Sequence, residues 1–141
     1  MRVLPWAEFR SDLPEDHIED GAIIIQFGGK SVIAAIGEML TRFGCEVSEP
    51  IYAYHRGWEL NVKAGRHRLW CQVTLIEGYI FILQQSSWFA RNFGRYPQEY
   101  IDVLKRLNTE LQGDPRFHDV QWYTSSEVLS GSPGSTTPVL D

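Results

Sequence analysis

Between Pro50 and Gln85 apolar and polar residues alternate with a period of two, and this stretch limits the possible folds more than any other. Trp58, Leu60 and Val62 alternate with Glu59, Asn61 and Lys63, as a strand with one buried face requires. Ala64-Gly65 breaks the run. A return strand from about His67 to Leu75 then sets Leu69, Cys71 and Val73 against Trp70, Gln72 and Thr74. Glu77-Gly78 turns the chain into Tyr79–Leu83, an almost wholly apolar run suited to a central strand. A meander of this kind needs a layer to cover its apolar face.

Two amphipathic segments supply that layer. Ser31 reads as the N-cap of a helix reaching Phe43, with Val32, Ile33, Ile36, Leu40 and Phe43 on one face. Glu38 and Arg42 form an i,i+4 pair on the other, and Gly44 follows the last turn. Pro97 reads as the first residue of a second helix, which buries Tyr100, Ile101, Val103, Leu104, Leu107 and Leu111 and stops at Gly113-Asp114-Pro115. Ala22–Phe27 reads as a buried strand, another strand follows Pro50, and a last one covers Val120–Tyr123.

The element order is then β-α-β-β-β-β-α-β, and the expected class is α+β. We expect two layers, a mostly antiparallel sheet of five or six strands with both helices on one face. Residues 1–129 read as a single domain. Its first 21 residues are an acidic N-terminal segment, with a short helix from about Trp6 to Leu13 stopped by Pro14. Residues 130–141, rich in Ser, Gly, Thr and Pro, read as a disordered tail.

Hydrophobic residues at 43% and charged residues at 22% match an ordinary globular chain of 141 residues. No apolar run is long enough to cross a bilayer, and Met1–Trp6 lacks the apolar core of a secretory signal, so a cytoplasmic protein with no membrane partner is expected. Cys45 and Cys71 lie far apart, and His17, His55, His67 and His118 fall in four separate segments. Neither set has the close spacing of a metal site, so no metal and no cofactor are expected.

The net charge of −5 is uneven: residues 1–21 carry −4 of it, and the remainder of the chain is close to neutral. Arg56, Lys63, Arg66, His67 and Arg68 cluster around one hairpin beside Trp58 and Trp70, but the cluster is small, and nucleic acid is not the expected partner.

Phe27-Gly28-Gly29-Lys30-Ser31 stands where a phosphate-binding loop would, between a strand and a helix. Ile24 occupies the position of the first required glycine, and a glycine turn with a serine cap accounts for the same residues. There is no Gly-x-Ser-x-Gly elbow, and neither cysteine has a nucleophile's setting. The sequence reads as a binding protein rather than an enzyme.

Trp88, Phe89, Phe93, Tyr96 and Tyr100, with Arg91 and Arg95 among them, either close one end of the core or meet a partner. Small acidic bacterial proteins of this size, charge and layer order resemble immunity proteins that mask toxins and dimeric chaperones of secreted effectors. That resemblance implies a protein partner. Its contact residues would be Glu15, Asp16, Glu19 and Asp20 facing a basic surface, joined by Trp58, Trp70, Trp88, Phe89, Arg91 and Tyr96. A homodimer through an exposed strand edge stays open. The second reading is a small-molecule-binding protein or enzyme with a pocket between sheet and helices, lined by His55, Arg56, Glu59, Arg68 and Gln72.

Overall fold

A computed structural model of the chain describes residues 1–86 and 96–141. The meander forms as the alternation requires. β7 (Trp58–Ala64), β8 (His67–Leu75) and β9 (Tyr79–Gln85) pair antiparallel, with Leu60 opposite Cys71 and Cys71 opposite Leu83. Leu60, Val62, Leu69, Cys71, Val73, Phe81 and Leu83 are buried on one face.

Two short strands, β5 (Glu46–Val47) and β6 (Ile51–Tyr52), add along the outer side of β7, followed by a single 3-10 turn at Tyr54–Arg56. On the far side of β9 lies β2 (Trp6–Ser11), and beyond it β10 (Phe117–Tyr123). The sheet has seven antiparallel strands in the order β10-β2-β9-β8-β7-β5, with β6 also on β7. This is one strand more than the upper expected number: β2 from the N-terminal segment and β5 join the sheet, and the expected strand at Ala22–Phe27 does not.

The N-terminal segment is the first correction. Trp6–Leu13 is not a helix. Trp6, Phe9 and Leu13 have helical spacing, but Ala7 and Phe9 also alternate with Trp6, Glu8 and Arg10. The backbone pairs with Ile82–Tyr79 on one side and Tyr123–Phe117 on the other, which buries Ala7 and Phe9 completely. Two ladders of hydrogen bonds and a buried aromatic outweigh a short helix of modest propensity.

Helix α1 (Lys30–Arg42) and helix α2 (Gln98–Gly113) lie against the same face of the sheet and touch each other. Val32, Ile33, Ile36, Met39 and Leu40 of α1, and Tyr100, Ile101, Leu104, Leu107 and Leu111 of α2, form the covering layer. Burying such a side chain contributes about 1.5–3 kcal/mol, so these stripes fix both helices. Arg42 reaches Glu110 of α2 at 3.2 Å rather than closing on Glu38. Ser31 lies inside α1; Gly29 is the capping position and has no side chain to offer.

The C-terminal segment is the second correction. Ser135 exchanges two backbone hydrogen bonds with Trp122, at 2.7 and 2.9 Å, on the outer edge of β10. Beyond it β11 (Val139–Leu140) pairs with β1 (Arg2–Val3). Asn108 is the latch: its side chain donates to the Thr136 carbonyl at 2.9 Å and accepts the Trp122 indole N–H at 2.8 Å. Few apolar side chains are needed when a strap satisfies its own backbone and covers a sheet edge. Val139 and Leu140 pack against the core.

Candidate interaction surface

The third correction defines the site. Ile23-Ile24-Ile25 is not a buried strand of the main sheet, because β2 already fills the place beside β9. The run instead forms β4 (Ile23–Gln26), which pairs only with β3 (Ile18–Asp20) in a separate two-stranded hairpin. Gly21-Ala22 is the two-residue turn between Asp20 and Ile23, and Gly21 takes the positive φ of 66° that such a turn favours. Ile25 is left over where the register shifts between the pairs Ile18–Gln26 and Glu19–Ile24.

The hairpin is apolar and wet. Ile18 is 46% exposed, Ile23 70%, Ile24 40% and Ile25 56%. Full burial of an isoleucine is worth about 1.5–3 kcal/mol, and each of these four forgoes the part of it that its exposure leaves unrealised. Single exposed apolar residues are ordinary; four on one small hairpin are not.

Its base is held firmly. Gly29 N–H donates to the Glu15 carbonyl at 2.7 Å, and the Gln26 amide donates to the Asp16 carbonyl at 2.8 Å. Phe27 is clamped at both backbone groups, its N–H by the Tyr52 hydroxyl and its carbonyl by the Trp58 indole, both at 3.0 Å. Gly28 leaves no room for a side chain: a Cβ there would sit 2.5 Å from the Glu15 carbonyl oxygen. The Asp16 carboxylate accepts Ser31 N–H at 2.6 Å, and Lys30 Nζ lies 5.6 Å from the centre of the Trp58 ring. The Gly-Gly-Lys-Ser stretch thus serves as a seat for the hairpin, and the chain's own carboxylate holds one of its first-turn amides.

All of the chain's net charge resides here. Asp12, Glu15, Asp16, Glu19 and Asp20 lie between Asp12 and Gly29 with no Lys or Arg, and the remaining 13 acids balance the 13 bases. Asp12 meets His118 and Glu19 meets His17, each at 2.7 Å. Glu15 and Asp20 have no ion-pair partner among the described residues, and both are exposed. The four acids singled out in the sequence therefore lie together, with three of them in solvent and Asp16 half-buried as a cap.

The aromatics do not join them. Trp58 is buried beneath the hairpin base and is unavailable to a partner. Trp70 is half-buried on the face of the sheet opposite the helices. Tyr96 stacks on buried Tyr100 with ring centroids 5.8 Å apart, and the Tyr100 hydroxyl donates to the Leu83 carbonyl. This caps the Leu83 end of β9, whereas the hairpin is seated near Tyr79. Trp88, Phe89 and Arg91 lie outside the described residues.

The five residues of the alternative pocket are dispersed as well. Glu59 and Gln72 bond each other at 2.8 Å across β7 and β8. His55 and Arg56 are exposed in the 3-10 turn. Arg68 lines an open cleft of about 620 Å³ with Glu46, Ser48, Asn61 and Lys63, and the other four do not. No cluster of three or more metal-binding side chains occurs among the described residues. Cys45 and Cys71 are free and buried, and burial raises both thiol pKa values, which leaves them poor nucleophiles at neutral pH.

Comparison of the chain with protein-family models, with curated proteins and with solved structures gives no match. What fold and site define together is a two-layer α+β domain that presents an acidic, isoleucine-rich hairpin outside its main sheet. No helix among the described residues is long and apolar enough to cross a membrane.

Proposed function

We propose that this chain is a non-catalytic protein-binding module, of the immunity or chaperone type, that masks a basic surface on another protein. The observation that carries the reading is the hairpin itself: four exposed isoleucines on a rigid seat, flanked by Glu15, Glu19 and Asp20. Apolar residues in solvent supply contact energy, and the surrounding carboxylates select a cationic partner and speed its approach. The ligand-pocket alternative draws less support, because Glu59 and Gln72 satisfy each other and Arg68 stands in a cleft without the other four.

The test is a pull-down from the native host with tagged chain, washed at low and high salt. The expected result is one stoichiometric protein, released by salt, captured by wild type and by Arg68→Ala but not by Ile24→Asp. Capture that Ile24→Asp leaves intact would refute a hairpin contact.

A further inference from the structure

We infer that the hairpin takes its partner as an added strand, and that this strand alternates basic with β-branched residues. The inference rests on the proposed binding role and specifies its chemistry. β3 and β4 form a sheet of two strands that joins no other strand among the described residues. A two-stranded ribbon is marginal in water, and its outer edges carry backbone groups with no ladder to complete them. Exposed edges are ordinarily blunted by lysine, proline or a covering element; neither Ile18-Glu19-Asp20 nor Ile23-Ile24-Ile25-Gln26 holds such a residue, and all of β3 and the three isoleucines of β4 are exposed.

The ribbon ends in a tight turn at Gly21-Ala22 and pairs with no other strand among the described residues, so it offers no flanking element to form a groove for a helix. It does offer an edge and β-branched side chains, the two features by which an extended segment is recognised.

Charge decides among occupants. An incoming strand paired along the free edge of β3 lies within about 5 Å of it, so its side chains fall close to Glu19 and Asp20. Basic residues there form cross-strand pairs, while a second copy of this chain would bring Glu19 and Asp20 against their equivalents. Anionic lipid headgroups are disfavoured for the same reason. A cationic strand of another protein is the occupant that fits.

The experiment titrates the full chain against three labelled octapeptides by fluorescence anisotropy: alternating Lys and Val, alternating Glu and Val, and the Lys peptide with alternate backbone nitrogens methylated. The Lys peptide should bind, with affinity falling about tenfold between roughly 50 and 300 mM salt. The Glu peptide and the methylated peptide should each bind at least about tenfold more weakly, the latter because it has lost its ladder donors. Replacing Glu19→Lys and Asp20→Lys together should reverse the preference between Lys and Glu peptides.

Equal binding of the Lys and Glu peptides, or undiminished binding of the methylated one, overturns the inference. So does a dimer of the chain that Ile24→Asp dissolves, since the occupant would then be a second copy. If no peptide binds but Ile24→Asp still abolishes capture of a host protein, the added strand is wrong and the hairpin contact stands. If Ile24→Asp leaves that capture intact, the binding role itself has failed.

Discussion

The carboxylate of Asp16 closes the first turn of α1 by accepting Ser31 N–H at 2.6 Å, from fifteen residues upstream. This bond ties the acidic hairpin to the helix layer, and Asp16 makes it with a positive φ of 63°. Asn tolerates that backbone region and keeps an acceptor, whereas Ala does neither. Asp16→Ala should therefore cost about 1–2 kcal/mol in urea denaturation, and Asp16→Asn clearly less. Equal losses would mean that the cap is not what holds the hairpin to α1.

The exposed isoleucines should be dispensable for folding. Ile24→Ser and Ile25→Ser are each expected to change stability by no more than about 0.5 kcal/mol. Ile33→Ala, by contrast, removes a fully buried side chain of α1 and should cost about 2–5 kcal/mol. Denaturant midpoints measured side by side check both, and a large loss at Ile24 would show that the hairpin is part of the core.

The C-terminal strap should be needed for stability. Asn108→Ala leaves the Trp122 indole N–H without its acceptor, for a cost of about 1–3 kcal/mol. Ending the chain after Leu129 should lower the thermal midpoint and speed hydrogen exchange at the Trp122 amide, which now donates to Ser135. An unchanged midpoint would restore the expectation of a disordered tail.

Tyr79 sets an alkaline limit. Its hydroxyl is buried with no hydrogen-bond partner among the described residues. Burial, then the charges of Glu15 and Asp16, push its pKa up to about 12 from an ordinary 10.0. The folded state thus holds this proton after the unfolded chain has lost it. Stability is unaffected below pH 10 and falls as pH rises from about 10 through 12. Tyr79→Phe should be neutral or stabilising at pH 7 and should flatten that alkaline decline, as measured by urea midpoints across the range. A decline as steep as wild type would assign it to other groups, such as Tyr100, whose pKa burial also raises.

The sequence disclosed most of the sheet, and the reasons are physical. Alternation at Trp58–Val62 and Leu69–Val73 has a period that only a strand can use, and α2 buries the stripe its spacing predicts. Trp6–Leu13 misled because Phe9 satisfies a helical and a strand spacing at once; pairing with β9, seventy residues away, decides between them. Ile23-Ile24-Ile25 misled more deeply. An apolar run reads the same whether it is buried or not, and only strand order shows that its place in the sheet is taken. The acidic residues were legible as a group, yet the capping role of Asp16 was not, because nothing local links it to Ser31. In residues 130–141 composition gave the wrong answer since backbone pairing does not depend on apolar content.

The uneven distribution of charge has a mechanical consequence. With the net −5 carried by the residues from Asp12 to Gly29 and the remainder of the chain balanced, the charge is concentrated around the hairpin. In the field of a cationic surface the molecule experiences a torque as well as a pull, which turns the hairpin forward before contact. Fewer collisions are then wasted on the wrong orientation, and neutralising Glu15 and Asp20 would weaken the torque while leaving every isoleucine in place.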